Sequence, residues 1–110
     1  MTWHVELIAE AERELRALPP DIIARFLRVA DLVAEHGPRQ VGMPHIRHLE
    51  DKLWEMRLTG RDGIARAIYV ASSGQRLIVL HVFSKKTQKT PRTALALARV
   101  RLRSLTDDYD

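Results

Sequence analysis

The feature that most constrains the fold of this chain is the stretch from Arg76 to Pro91, RLIVLHVFSKKTQKTP. It begins as an almost continuous apolar run, which is typical of a strand that is buried on both faces. A cluster of lysines, threonines and a glutamine follows, and Thr90-Pro91 then favours the start of a helix. A buried strand that leads into a cationic cluster holds positive charge at a fixed place. The rest of the chain must therefore supply a sheet around this strand and helices to cover it.

Positive charge is concentrated in the second half of the chain. Residues 1–56 contain 7 Lys and Arg against 10 Asp and Glu, whereas residues 57–103 contain 11 Lys and Arg against one acid, Asp62. In a chain of 110 residues, which has room for one domain, this asymmetry predicts a basic face. A basic face favours a polyanion or an acidic protein as partner. The alternative interpretation is a solvated surface that serves solubility.

Composition argues against several classes of protein. The chain contains no cysteine, so neither a disulfide framework nor a thiolate site is expected. No signal-peptide pattern and no window of about 20 apolar residues is found, which predicts a cytoplasmic protein without a membrane partner. His45 and His48 are closely spaced, but no third ligand accompanies them at a recognisable spacing, so we expect no metal and no cofactor.

The first half of the chain predicts a strand and a helical hairpin. Residues 3–7 alternate between apolar and polar side chains, as in a short strand. An apolar stripe at helical spacing follows and ends at the proline pair 19–20, where a second helix begins that Gly37 stops. The segment 37–51 contains two Gly and two Pro and has no clear period, so we expect a loop there.

The second half predicts a meander and a last helix. Short turns of Gly, Asp, Ser and Gln separate three β-rich segments, which are residues 52–59, 64–71 and 76–83. The last helix is expected to have Thr90 as its N-cap and Pro91 as its first residue. We therefore predict a single α+β domain over residues 1–110. It combines a small antiparallel or mixed sheet with an N-terminal helical hairpin and a C-terminal helix.

The order of these elements and three of their strings resemble the RelE/ParE superfamily of toxin proteins, and within it the phage-derived HigB-like branch of type II toxin–antitoxin modules. The strings are LWEMR, RAIYV and LHVFSKKTQKTP. The resemblance implies a RelE-like fold and a toxin that cleaves mRNA without a metal, on the ribosome or free of it. It also implies inhibition by a cognate antitoxin, usually a helix-turn-helix protein of the HigA-like kind. Members of the ParE side share the fold but poison DNA gyrase, so the fold leaves the activity open.

RNA can be cleaved without a metal when its own 2′-hydroxyl attacks the neighbouring phosphate. The protein must then remove the hydroxyl proton, stabilise charge on the phosphorane and protonate the leaving 5′-oxygen. Arg57 and Arg66 are the first candidates, because each interrupts a β-rich run and adjacent strands would place both on one face. The resemblance puts Arg57 where the family has a lysine used in acid–base chemistry, and Arg66 where it has a phosphate-binding arginine. Glu55 shares the face of Arg57 and either pairs with an arginine or acts as the base.

Further basic residues follow these strands. The resemblance implies a basic residue near the scissile phosphate at Lys85 and Lys86, for which a solvated turn is the alternative. His81 lies inside the apolar strand, either as a catalyst or as a hydrogen-bonded core residue. Contacts with the RNA backbone are expected from five other basic residues, which are Arg61, Lys89, Arg92, Arg99 and Arg103.

One departure from the family pattern concerns the general base. RelE has a catalytic tyrosine early in the C-terminal helix, and the corresponding region here, residues 94–95, contains none. Tyr69 and Tyr109 lie elsewhere, so the identity of the base is open. Besides the nuclease and the gyrase inhibitor, a non-catalytic binding module of the same fold is a third hypothesis.

Overall fold

The computed structural model describes residues 2–41, 46–85 and 89–109, apart from the side chains of Lys85 and of residues 106–109. These residues form the expected α+β fold. The strands are β1 (His4–Leu7), β2 (Ile46–Glu50), β3 (Leu53–Thr59), β4 (Ile64–Ser72) and β5 (Arg76–Lys85). The helices are α1 (Ala9–Arg16), α2 (Pro20–His36), α3 (Pro38–Val41) and α4 (Arg92–Tyr109). None of these helices has both the length and the apolarity needed to cross a membrane.

The strands form one mixed sheet in the order β1-β5-β4-β3-β2. Consecutive strands from β2 to β5 are antiparallel, as short connections favour. β1 instead pairs in parallel with the first half of β5, from His4 opposite Arg76 to Leu7 opposite Val79. The hairpin of α1 and α2 separates β1 from β2 in sequence, and these two strands form opposite edges of the sheet.

Both faces of β5 are buried, as its apolar run predicts. Leu77 and Val79 belong to a core cluster with residues of α1 and α2, whereas Ile78 and Leu80 belong to a second cluster with residues of α4. Each of these four side chains is at most 2% exposed. β5 therefore joins two hydrophobic cores, one on each face of the sheet.

The prediction of a loop over residues 37–51 is wrong, because this segment contains α3 and the edge strand β2. Ile46 is buried opposite Met56, but Arg47 and His48 that follow it are both exposed. The register also shifts between His48 and Glu50. An edge strand with one buried residue and a bulge shows little alternation, so its sequence gives no period. The described meander consequently has four strands rather than three.

The predicted cap of the last helix is also wrong. α4 begins at Arg92, and the carbonyl oxygen of Pro91 accepts hydrogen bonds from the N–H groups of Ala94 and Leu95. Pro91 therefore stands at the cap position. The hydroxyl of Thr90 instead donates to Glu55 at 2.6 Å, because a buried carboxylate needs a partner.

Two helices close the edge of β5 beyond the end of β1. Glu14 of α1 accepts a hydrogen bond from the backbone N–H of Val82 at 3.0 Å. Arg101 of α4 donates to the carbonyl oxygen of Leu80 and to Glu14, each at 2.9 Å. These side chains satisfy backbone groups that no neighbouring strand reaches, and so protect this edge from pairing with another chain.

The turn between β3 and β4 packs closely on the start of α2. A Cβ atom at Gly60 would clash with Ile22 Cδ1 and lie 2.9 Å from Asp21 Oδ2. Ile22 is buried and Asp21 accepts the N–H of Arg61 at 2.6 Å, so neither side chain moves freely. We expect Gly60→Ala to lower the free energy of unfolding by about 1–3 kcal/mol, measured by urea denaturation with tryptophan fluorescence.

Gly63 of the same turn provides the matched control. A Cβ atom there meets nothing within 4 Å. The Gly63→Ala variant should change the free energy of unfolding by less than about 0.5 kcal/mol. Equal losses in the Gly60→Ala and Gly63→Ala variants would contradict the packing of this turn on α2.

Candidate functional site

Two arginines lie opposite each other on the face of the sheet that α4 covers. Arg57 of β3 is the register partner of Arg66 of β4, and Arg66 is in turn opposite Phe83 of β5. Side chains of directly opposed residues lie on the same face. The expectation that adjacent strands bring Arg57 and Arg66 together is therefore confirmed, while their roles in catalysis stay predictions.

Arg66 is completely buried. Its Nε lies 3.9 Å from Glu55 Oε1, and its Nη1 donates to the carbonyl oxygen of Lys89 at 3.3 Å. Burial lowers the pKa of Arg66; Glu55 opposes this shift, and the positive charges of Arg57 and Arg47 reinforce it. An arginine nevertheless keeps its charge at neutral pH, so Arg66 holds a permanent positive charge beneath the start of α4.

Glu55 is the acid that balances this buried charge. Its side chain is also fully buried, and its Oε1 atom accepts the hydroxyl hydrogen of Thr90. The other oxygen, Oε2, has no hydrogen-bond partner among the residues that the structure describes. The sequence left two roles open for Glu55, and the structure shows one of them, an ion pair with Arg66. A role as base stays a prediction.

A third arginine belongs to this cluster and was not among the candidates. Arg47 of β2 is the register partner of Glu55, is exposed, and contributes to the pKa shift of Arg66. Positive charge on this face thus runs from the exposed Arg47 through the half-buried Arg57 to the buried Arg66. Because β2 has no clear period in the sequence, only its pairing with β3 reveals Arg47.

His81 lies on the same face, near the edge of β5. Its ring stacks on Phe83 with centroids 4.9 Å apart, and its Nδ1 lies 3.0 Å from Glu14 Oε1. Arg101 Nη1 also lies 3.4 Å from this nitrogen. The contact with Glu14 is the shorter one and a carboxylate can only accept a hydrogen bond, so we assign a proton to Nδ1; Arg101 then makes no hydrogen bond to the ring, and Nε2 of the same tautomer has a lone pair. Nε2 makes no hydrogen bond with the described residues. His81 is therefore hydrogen-bonded and also presents a basic atom.

Glu14 orients His81 and is a residue that sequence reasoning did not single out. Burial opposes ionisation of its carboxyl group, but hydrogen bonds from Arg101, His81 and the N–H of Val82 outweigh it and lower the pKa of Glu14. The carboxylate is thus the stable form of Glu14 in the folded protein. A glutamate in a charged helix is usually solvated, so its sequence position alone gives no signal.

The other basic candidates lie around this cluster rather than in it. Lys89, Arg92 and Arg103 are exposed at the start and along the outer side of α4. Arg61 is exposed in the turn between β3 and β4. Arg99 differs, because its guanidinium contacts Glu50 and Asp51, each at 2.8 Å. Its charge is balanced by two acids, which tie α4 to the connection between β2 and β3.

Two candidates of the lysine cluster fall partly or wholly outside the described residues. The backbone of Lys85 pairs with Ile64, two positions beyond the pair of Arg66 and Phe83, but its side chain lies outside the described part of the chain. Lys86 lies outside it altogether, as does His45. Within the described ranges, no group of three or more His, Cys, Asp and Glu side chains is placed to hold a metal ion.

Comparisons with known proteins agree with this fold. A family model described as "Phage derived protein Gp49-like" matches residues 13–103. A chain of the RelBE2 toxin–antitoxin complex from Mycobacterium tuberculosis has a similar structure, with a TM-score of 0.57 and a sequence identity of 18%. The match covers 77% of this chain and 100% of that chain. A chain of the archaeal RelE–RelB complex from Pyrococcus horikoshii OT3 has a TM-score of 0.56 and a sequence identity of 21%. This match covers 81% of this chain and 100% of that chain. Among curated proteins, none matches this sequence.

A structure of an E. coli RelE toxin double mutant in the free state is also similar. It is 17% identical with a TM-score of 0.61, covering 93% of this chain and 99% of that chain. At such low identities the likeness shows a shared fold. The RelE-like fold and the RelE/ParE resemblance are thereby confirmed, whereas the HigB-like branch stays a prediction.

The buried pair of Glu55 and Arg66 makes Arg66→Ala a structural change as well as a chemical one. Removing one partner leaves a buried carboxylate without its counterion, so we expect a loss of about 3–5 kcal/mol in the free energy of unfolding. The double variant Glu55→Gln/Arg66→Met removes both charges and keeps an acceptor for Thr90. It should be more stable than Arg66→Ala, and chemical denaturation compares the two. A double variant that is the less stable one would contradict the ion pair.

Glu14 should make stability depend on pH. Because its pKa is lowered by folding, Glu14 stabilises the protein fully above the ordinary carboxyl value of about 4.3, and this contribution disappears as the pH falls through the folded-state pKa. Wild type should be more stable than Glu14→Gln at about pH 7, and the difference should shrink below about pH 4. Denaturation curves over this range measure the effect.

Glu12 of the same helix supplies the control for this pH series. Its pair with Arg16 is solvent-exposed, with 53% of the Glu12 side chain accessible. Such pairs contribute little to stability, so Glu12→Gln should change it by less than about 1 kcal/mol. A loss in Glu14→Gln that does not vary with pH would contradict the assigned role of its carboxylate.

Proposed function

The chain belongs to the phage-derived Gp49-like family, and from this and its RelE-like fold we propose that it is the toxin of a type II toxin–antitoxin module that cleaves mRNA. One observation carries the proposal. Arg57 and Arg66 are opposed on the sheet face that also holds His81, whose Nδ1 is fixed by Glu14. This face combines cations for a phosphate with an oriented base, which are the groups that cleavage through the 2′-hydroxyl requires.

The cluster of Arg47, Arg57 and Arg66 favours the binding of an anion near its two accessible members, Arg47 and Arg57. Like charges directly opposite each other in a sheet are destabilising, and a phosphate near Arg57 and Arg66 would relieve their repulsion. Arg66 is buried beneath Lys89 and Thr90 and cannot contact a phosphate directly. Its positive charge would instead attract the phosphate over a distance. Direct contact with a phosphate falls to the half-buried Arg57 and the exposed Arg47.

His81 is proposed as the general base. Its Nε2 accepts the proton of the RNA 2′-hydroxyl, O2′ forms a bond to phosphorus, and the bond from phosphorus to O5′ breaks. The products are a 2′,3′-cyclic phosphate and a 5′-hydroxyl end. Glu14 stabilises the imidazolium that forms, because its carboxylate accepts the Nδ1 hydrogen. This assignment fills the place that the missing helix tyrosine leaves open.

Lys85, the last residue of β5, and Lys86 are proposed to protonate the leaving oxygen. The backbone of Lys85 lies two positions beyond Phe83, about 7 Å further along the strand, and Lys86 follows it. Four exposed basic residues are proposed to contact the RNA backbone, which are Arg61, Lys89, Arg92 and Arg103. Arg99 would have to exchange Glu50 and Asp51 for a phosphate, so its contribution should be smaller.

A cognate antitoxin is the proposed partner. Two of the solved structures with this fold are toxin–antitoxin complexes. The basic face of this chain suits an acidic antitoxin segment. A helix-turn-helix antitoxin of the HigA-like kind, association with the ribosome and action in the cytoplasm follow from the family resemblance.

Induced expression in a bacterial host tests the nuclease. Wild type should arrest growth and create new mRNA 5′ ends that carry a hydroxyl. His81→Asn should reduce cleavage by about 100-fold or more, because a general base typically contributes that much. Arg57→Ala should also reduce cleavage, whereas Arg25→Ala, an exposed arginine on α2 at the other side of the sheet, should not. Mapping of 5′ ends and growth curves provide the readouts.

Three outcomes would contradict parts of this proposal. Growth arrest without new mRNA ends would contradict cleavage and favour DNA gyrase as the target. No growth arrest from a folded chain would contradict the toxin and favour a binding module. Full cleavage by His81→Asn would show that another group is the base.

A further inference from the structure

A cavity of about 730 Å³ opens on the face of the sheet opposite the arginine pair. Trp54 and Tyr69 are register partners that line it, and side chains alternate along each strand, so they point away from the face of Glu55. Its volume lies within the range of about 300–1,000 Å³ that is usual for small-molecule sites. Both tryptophans of the chain, Trp3 and Trp54, belong to its walls.

Both tryptophans are held in place by their neighbours. The backbone N–H of Trp3 donates to the carbonyl oxygen of Ala34 at 2.9 Å. The indole of Trp3 lies against Gly37, where a Cβ atom would stand only 3.0 Å from Nε1. Trp54 makes an edge contact with the ring of His48, with centroids 4.8 Å apart, yet 37% of Trp54 is exposed. The cavity thus offers fixed aromatic surfaces to a ligand.

The hydroxyl of Tyr69 is the unexplained polar group of this cavity. Tyr69 is 1% exposed, and its hydroxyl has no hydrogen-bond partner among the described residues. A buried hydroxyl without a partner costs about 1–3 kcal/mol, so a water molecule or a ligand that accepts its hydrogen would stabilise the protein. Burial also raises the pKa of Tyr69 well above its ordinary value, which keeps the hydroxyl protonated and able to donate.

The rim of the cavity is positively charged. Two arginines and two histidines line it, and the described lining residues include no aspartate or glutamate; they are His36, Arg39, Arg47 and His48. Arg39 and Arg47 are exposed. Glu35 lies outside the lining, with its carboxylate 3.9 Å from His36. A ligand that carries negative charge at one end is therefore favoured.

We propose that this cavity binds a nucleotide. The base lies against Trp3 and Trp54, an acceptor on its edge takes the hydroxyl hydrogen of Tyr69, and the phosphate contacts Arg39 or Arg47. An apolar protein side chain would match the aromatic walls but would leave the hydroxyl and the cations without partners. A nucleotide satisfies all three features. It is either free or one unit of a single-stranded nucleic acid.

This proposal goes beyond the proposed nuclease, because the cavity lies on the other face of the sheet and its occupation requires no cleavage. Arg47 connects the two places. It lines the cavity, and its charge also lowers the pKa of Arg66. β2 is an edge strand, so a nucleic acid that passes around this edge can reach both faces.

Tryptophan fluorescence tests the proposal directly, since both tryptophans line the cavity. The probes are adenosine and uridine 5′-monophosphates, the two nucleosides, and a hexanucleotide of 2′-O-methyl RNA, which cannot be cleaved through its 2′-oxygen. We expect saturable quenching by the nucleotides or the hexanucleotide. Tyr69→Phe should weaken binding about 5-fold through the lost hydrogen bond. Arg39→Ala should weaken binding of the phosphorylated probes but not of the nucleosides.

The variants are chosen to stay folded. Tyr69→Phe only removes a hydroxyl that lacks a partner, and Arg39 is exposed. Arg25→Ala, on the exposed side of α2, is the matched control and should leave the affinity unchanged. Tighter binding of the hexanucleotide would identify a nucleic acid as the source, and equal binding of monophosphates would identify a free nucleotide; both support the cavity.

Three results would overturn the proposal. These are the absence of saturable quenching by every nucleotide probe, an affinity that neither Tyr69→Phe nor Arg39→Ala changes, and quenching by N-acetylphenylalanine amide but by no nucleotide. The last result would assign the cavity to a protein side chain. Binding is measured without cleavage, so failure here leaves the mRNA assay of the nuclease unaffected, and the reverse also holds.

Discussion

The buried ion pair of Glu55 and Arg66 is the interaction on which the arrangement of the rest depends. Two charges taken out of water must satisfy each other and their remaining hydrogen-bonding groups. Thr90 donates to Oε1 of Glu55 and the carbonyl oxygen of Lys89 accepts from Arg66, and these two contacts fix where the chain leaves the sheet to begin α4, while Oε2 of Glu55 has no partner among the described residues. Helix α4 is thus positioned on the sheet by polar contacts of the residues just before it and by apolar packing of its own residues. The ion pair and its two hydrogen-bonding partners thus position α4 and also place a positive charge in the candidate site.

The two faces of the sheet divide the chemistry of the molecule. The α4 face carries the arginine pair and the oriented histidine, whereas the face covered by α1 and α2 carries an aromatic cavity with a cationic rim. β3 and β4 supply residues to both, because successive side chains of a strand point in opposite directions. Trp54 and Glu55 are neighbours in sequence but belong to different sites. A short chain can hold two recognition surfaces in this way.

Much of this architecture is readable from local patterns. The continuous apolar run of β5 correctly indicates burial on both faces, and alternation together with short turns correctly places Arg57 beside Arg66. Local patterns do not reveal contacts between distant segments. Glu14 and His81 are 67 residues apart in sequence, and Thr90 and Glu55 are 35 apart. The edge strand β2 is not predicted from the sequence, because its residues show no alternation and only its pairing with β3 identifies it as a strand.

The closure of the β5 edge has a consequence for synthesis of the chain. Glu14 and Arg101 are separated by 87 residues, so their contact forms only after the segment between them has left the ribosome. Until then the carbonyl oxygen of Leu80 lacks its hydrogen bond from Arg101, although Glu14 of α1 can already accept the N–H of Val82. The same contact completes the environment of His81. A chain that lacks Arg101 would therefore leave this edge partly uncapped and His81 without one of its charged neighbours, so that the edge and the candidate site are completed by the same late contact.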